Sequence, residues 1–249
     1  MPDLNFQAWP KIARLHKDIV VTEKIDGTNA AVAIADAWDL PELAEARAWG
    51  GYHREWIQQY VQRGRKLIER EVDGQTRFYL LAAQSRKQLI YPDKDNFGFA
   101  RWAYDNAEQL LDILGAGRHF GEWWGSGIQR GYGLPKGKKR FSLFNVAKHE
   151  NALDAYWHAY GDDVPELHDQ LDVVPVLYEG PFSEQAIEDA MQRLDDHGSV
   201  ASPGFKQPEG VVVYHTAANT AFKWTFDDAA KGTPYTPPEP LTKTNGVWA

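Results

Sequence analysis

Short strand-like apolar runs and helical patterns follow one another along this chain without regular alternation. Residues 18–22 and 30–35 read as strands on either side of the polar turn Glu23-Lys24-Ile25-Asp26-Gly27-Thr28-Asn29. Further strands are expected at 77–83, 118–124, 140–146, 173–178, 210–215 and 221–226. The spacing of Trp56, Ile57, Tyr60, Val61, Leu67 and Ile68 predicts an amphipathic helix over 52–71. Residues 96–114 read as a second helix ended by Gly115 and Gly117, and 183–194 as a third capped by Ser183. A doubly wound fold would alternate strand with helix, so this order predicts an α+β fold with mainly antiparallel sheets and flanking helices. No linker divides the chain, which gives residues 1–231 as one catalytic-sized domain and the Pro-rich, aperiodic 232–249 as a tail.

Composition narrows the chemistry. With no cysteine among 249 residues, disulfides, thiolate catalysis and cysteine-bound metals are excluded. Ten tryptophans are more than a core of this size needs, so some rings are expected to serve a ligand. The absence of a basic-then-apolar leader or a membrane-length apolar run predicts a cytoplasmic protein with no membrane partner. The net charge of −8 argues against nucleic acid only as an average. Residues 150–196 hold thirteen acids and one base, leaving the rest net basic, and residues 130–140 (RGYGLPKGKKR) carry five bases and no acid. Such a loop either grips phosphates or is merely solvated.

The common phosphate cradles, GxxxxGK[ST] and a GxGxxG after a strand, are missing. Alone, Lys24-Ile25-Asp26-Gly27 reads equally as a β-turn with its lysine in solvent. Further segments stand in order behind it: Ser85-Arg86-Lys87 with Asp95-Asn96-Phe97-Gly98-Phe99, then Phe120-Gly121-Glu122-Trp123-Trp124-Gly125-Ser126-Gly127-Ile128-Gln129. Phe141-Ser142-Leu143-Phe144-Asn145-Val146, Glu209-Gly210-Val211-Val212-Val213 and Ala221-Phe222-Lys223-Trp224 follow. In order and spacing, from about Val20 to Lys231, these resemble the covalent nucleotidyltransferases: ATP-dependent ligases and mRNA-capping enzymes. The likeness is greatest to RNA ligases of the RNA ligase 2 branch, through Gly27-Thr28-Asn29 after the lysine, the extended Glu122 segment and the Phe144 segment.

The resemblance implies a ligase catalytic core that seals 5′-phosphate and 3′-hydroxyl ends through lysyl-AMP and an AMP-capped 5′-end, with ATP and Mg2+ or Mn2+ as cofactors. It casts Lys24 as the nucleophile, with Glu209 and Lys223 completing the catalytic set and Glu209 as the metal ligand. The nucleotide would be bound by Glu23, Asn29, Arg86, Glu122, Phe144 and Lys223. In these roles Glu122 takes the ribose hydroxyls, Phe144 stacks on adenine and Asn29 organises the 5′-phosphate. Because an ordinary lysine amine is almost wholly protonated at neutral pH, Lys223, Arg86 or a divalent cation is needed to favour its neutral form. Read residue by residue, each has a plainer alternative. Phe144 is core packing, Arg86 pairs with Asp93 or Asp95, Asn29 bonds its own backbone, and Glu209 is a turn carboxylate after Pro208.

Three positions depart from the family pattern. Thr225 stands where relatives carry a second lysine, with Lys231 as the nearest substitute; Asn145 stands where they tend to have Asp; and Asp26 stands where RNA ligase 2 relatives tend to have His. The chain stops soon after Lys231, so no C-terminal OB domain is expected, which favours RNA over DNA ligase. The expected partners are RNA ends, including nicked duplex or DNA/RNA hybrid, and an accessory protein supplying a missing C-terminal domain. The alternatives are a DNA ligase or capping-type nucleotidyltransferase, or a catalytically weak ligase-like protein that binds nucleotides or nucleic-acid ends.

Overall fold

The computed structural model describes residues 12–40, 54–95, 97–160, 165–227, 243–244 and 247–248. The chain forms two compact units: Ile25–Val174 is continuous, whereas Met1–Lys24 combines with Pro175–Ala249. In chain order, β1 (Asp18–Lys24) is followed by β2 (Thr28–Asp36), α1 (Arg54–Gln62), β3 (Lys66–Val72), β4 (Gln75–Ser85) and β5 (Leu89–Ile90). Next come α2 (Phe99–Asp105), α3 (Ala107–Leu114), β6 (Gly117–Gly125), β7 (Lys139–Leu143), α4 (Val146–Tyr160) and β8 (Leu171–Val173). The last large elements are β9 (Val176–Pro181), α5 (Glu184–His197), β10 (Gly210–His215) and β11 (Thr220–Thr225).

In the continuous unit a seven-stranded sheet runs β3-β4-β2-β6-β7-β8, with β5 paired to β4. Its pairings are antiparallel except β7 with β8. Strand alternation puts Val32, Ile34, Leu81, Ala83, Trp123, Phe141 and Leu143 on one face, where they bury against Phe99, Trp102, Leu110 and Ile113 of α2 and α3. Phe99 is the hub, its ring centroid 4.9 Å from Phe141 and 5.4 Å from Trp123. Two buried histidines, His119 on β6 and His149 on α4, meet edge to face at 5.1 Å. Burial first, and then the neighbouring Lys148 ammonium, pushes both rings down to about 4.

The other unit is a four-stranded antiparallel sheet, β11-β10-β1-β9. Ile19, Val21, Val211 and Val213 bury against Ile187, Ala190, Met191 and Leu194 of α5. Ser183 caps α5 by accepting from the Ala186 amide at 3.2 Å, as its residue type predicts.

The α+β architecture with mainly antiparallel sheets is as expected. Four expected elements differ, the first being the strand over 140–146, which ends at Leu143 because Val146 opens α4. The helix over 52–71 ends after Gln62, because Gly64 turns the chain at φ 79° and Lys66–Val72 pairs along β4. The helix over 96–114 is two helices broken at Asn106. The strand over 173–178 is split between the sheets around Val174-Pro175, where proline cannot donate to a ladder. No described helix is long and apolar enough to cross a membrane.

Candidate functional site

Lys24 is the last residue of β1 and sits opposite Gly210, which in turn sits opposite Thr225 on β11. Residues opposite one another on antiparallel strands share a face, so Lys24 and Thr225 lie in one row. Lys223, exposed, lies on the same face one row back, opposite Val212. Gly210 is held at φ 144°, and a Cβ there would collide with the Trp224 carbonyl oxygen. Only glycine fits, and it leaves no side chain between Lys24 and Thr225. The Lys24 ammonium donates to Glu209 Oε2 at 2.6 Å, and the Glu209 carbonyl accepts from the Phe226 amide at 3.0 Å, tying the carboxylate's backbone to the end of β11. The lysine is thus neither solvent-directed nor independent of Glu209.

Glu23 points the other way. It alternates with Lys24 onto the core face, is 1% exposed, and accepts from Ser199 Oγ at 2.6 Å and the amides of Val200 and Ala201 at 2.8 and 2.9 Å. Its carboxylate holds the 199–201 loop. Lys231 lies outside the described residues.

In the continuous unit, Glu122 on β6 sits opposite Asn29 on β2. Glu122 Oε2 accepts from Asn29 Nδ2 at 2.6 Å and Oε1 from the Gly27 amide at 3.1 Å, so Asn29 bonds across the strands rather than to its own backbone. Gly27 packs on β6 so closely that a Cβ would lie 2.5 Å from the Trp123 carbonyl oxygen. Phe144 is 44% exposed, so it is not core. Asn145 Oδ1 accepts from the Lys148 amide at 3.2 Å in the first turn of α4, a job asparagine does as well as aspartate. Arg86 is exposed in the turn after β4; Asp95 is taken up instead by the amides of Phe97, Gly98 and Ala100.

One linkage was not foreseen. Asp26 accepts from Arg130 Nε at 3.0 Å, while its amide donates to the Tyr132 hydroxyl at 2.9 Å. The 125–134 loop reaches back because Gln129 and Tyr132 adopt φ 42° and 51°, unusual for residues with a Cβ. Gly127, Gly131 and Gly133 around them are the signs of a sharp turn that the sequence carries. Much of the basic loop is likewise engaged: Lys138 pairs with Glu166 at 2.8 Å, Lys139 donates to the Phe97 carbonyl at 2.7 Å, and Arg140 lies 5.8 Å from the Trp124 ring centroid. The Lys138 pair joins the basic loop to the acidic segment, and because both partners are exposed it adds little stability. Among the described residues, no three His, Asp or Glu side chains gather into a ready-made metal centre.

The model of the RNA ligase family matches residues 17–225. No curated protein sequence matches the chain. Similar solved structures include a Naegleria gruberi RNA ligase with ATP and Mn, at 16% identity and TM-score 0.47, covering 88% of this chain and 52% of that one. The same organism's RNA ligase with AMP and Mn gives 17% identity, TM-score 0.47 and coverages of 88% and 52%. With PPi it gives 15% identity, TM-score 0.47 and the same coverages of 88% and 52%. The chain therefore spans about half the length of these structures.

Proposed function

This chain belongs to the RNA ligase family, and from that membership we propose that it is an ATP-dependent RNA ligase joining 5′-phosphate to 3′-hydroxyl ends. The observation that carries the reading is the 2.6 Å contact between Lys24 and Glu209 at the end of β1. A lysine must shed a proton before it can attack phosphorus; Glu209 positions the amine, and the positive charge of Lys223, Arg86 or a divalent ion held at Glu209 would favour its neutral form. The neutral amine then attacks the α-phosphorus of ATP; a P–N bond forms, the α–β P–O bond breaks, and pyrophosphate leaves with that electron pair. A 5′-phosphate oxygen next displaces Lys24 to give the AMP-capped end, and a 3′-hydroxyl displaces AMP to close the strand.

Lys223, on the same face as Lys24, is a source of positive charge for the phosphates. Glu122 is suited to the ribose hydroxyls, Phe144 to the adenine ring, and Arg86 and Asn29 to phosphate. Glu23 serves the site by anchoring the loop beneath the nucleophile strand. A divalent ion, magnesium or manganese, neutralises phosphate charge when bound. Glu209 would hold it. The reading takes residues 1–231 as catalytic and 232–249 as a tail, RNA ends as substrate, nicked duplex and DNA/RNA hybrid included, an accessory protein as helper, and the cytoplasm as location.

Incubation with α-labelled ATP and manganese should leave acid-labile, alkali-stable label on the denatured protein, and Lys24→Ala should remove it. Label that survives Lys24→Ala overturns the assignment. A second reading, a ligase-like binder that turns over weakly, is favoured by Thr225 in the Lys24 row; label formed without joined RNA would select it.

A further inference from the structure

The seven-stranded sheet has two unlike faces. One is buried under α2 and α3. On the other, Gln84, Ala31 and Phe120 stand side by side on β4, β2 and β6, and the Phe144 amide bonds the Phe120 carbonyl at 3.0 Å to extend the row. The next row is Ala82, Ala33 and Arg118. The alanines form a low floor, and the Arg118 guanidinium crosses it to bond Gln84 Oε1.

Phe120 is 51% exposed although β6 is an inner strand. A half-exposed ring at a sheet centre is held rigidly by the backbone on both sides, which suits it to stacking rather than to packing. Around Phe120 the inner strands carry Arg118 and Arg140 beside one carboxylate, Glu122, which already accepts from Gly27 and Asn29, whereas the other carboxylates of this face, Glu69 and Glu71 on β3 and Asp172 on β8, lie at the two edges of the sheet. An aromatic ring and a guanidinium on β6, with a side-chain amide on β4 across the intervening β2, are the groups that hold single-stranded RNA, the ring taking a base and the guanidinium a phosphate.

We propose that Phe120, Arg118 and Gln84 form a subsite for the RNA strand, with a nucleobase stacked on Phe120 and the adjoining phosphate held by Arg118. It adjoins the adenine stack assigned to Phe144 in the same row, with a different ring taking the RNA base, and the choice of RNA rests on the ligase reading. The test is fluorescence anisotropy with a short fluorescein-labelled single-stranded RNA bearing a 5′-phosphate, alongside Lys24 labelling by ATP.

Phe120→Ala should weaken RNA binding by about 5- to 100-fold, the range for losing one base–aromatic stack. Phe120→Tyr should hold affinity within about twofold, since the π face remains. Arg118→Met keeps the aliphatic stem and should reduce the slope of log affinity against log salt by about one. All three variants should take label from ATP as the parent does. The proposal is overturned if RNA affinity is unmoved in Phe120→Ala, if Tyr and Ala are equally damaging, or if ATP labelling falls in step with RNA binding. It is also overturned if an acidic peptide, but not RNA, binds in a Phe120-dependent way, which would give the face to a protein partner. A parent protein that takes no label while Phe120→Ala still loses RNA would sink the ligase reading and leave the subsite standing.

Discussion

Thr225 lies in the same row of the four-stranded sheet as Lys24, with only the hydrogen atoms of Gly210 between them. The row spans two interstrand spacings, about 10 Å. At that distance and an effective dielectric of about 20, a unit charge contributes roughly 1.7 kcal/mol. Thr225→Lys should therefore speed lysyl-AMP formation by up to about 20-fold in a single-turnover measurement with labelled ATP. An unchanged rate would mean that this row does not face the phosphates.

Glu23 is expected to matter for stability and not for nucleotide affinity. Glu23→Gln removes the charge from an acceptor shared by Ser199, Val200 and Ala201 and puts a donor among donors. The cost should be about 2–3 kcal/mol, seen as a lower urea midpoint. KM for ATP in the labelling reaction should be unchanged. A raised KM with normal stability would return Glu23 to the nucleotide.

Gly27→Ala should destabilise the protein by about 1–3 kcal/mol, since the new methyl meets the Trp123 carbonyl oxygen at 2.5 Å and Trp124 Cβ at 2.7 Å, neither at the end of a flexible side chain. Thermal melting measures it. A neutral result would show that the turn can move off β6.

Acid should weaken the fold through His119 and His149, each held down to about 4. The folded state disfavours their charged forms, so their contribution is complete above the unfolded value near 6.5 and is lost as pH falls towards 4. Each ring adds at most about 1.4 kcal/mol per pH unit to the slope in that window. Urea unfolding between pH 7.5 and 4.5 should show the decline, and His149→Gln should flatten part of it. An identical slope in the variant would place the acid sensitivity in carboxylates instead.

The sheet strands were legible where β-branched apolar residues ran together, as in Gly210–His215, and α5 was legible from its Ser183 cap. Lys66–Val72 was not, because Leu67 and Ile68 are adjacent and fit either period; the decision is made by Gly64 and by pairing with β4. The Lys24–Glu209 pairing could be anticipated only through resemblance, since 185 positions separate the two residues. Glu23 is the instructive case. Strand alternation places it on the opposite face from Lys24, yet a motif read as a string treats neighbours as partners. The Asp26–Arg130 contact was hidden for another reason: it depends on left-handed backbone at Gln129 and Tyr132, which residue type does not announce.

Strand β1 pairs only with β9 and β10, and the whole of Ile25–Val174 lies between it and them in the chain. During synthesis its amides and apolar side chains emerge with neither neighbour yet made, while the continuous unit can close its own ladders as it appears. Ordering β1 also requires closing a very long loop, an entropic cost that grows slowly with length but must be met before any of its pairings form. The strand that carries Lys24 is thus made before either of its partners, and it can be locked only after the whole of Ile25–Val174 has followed it.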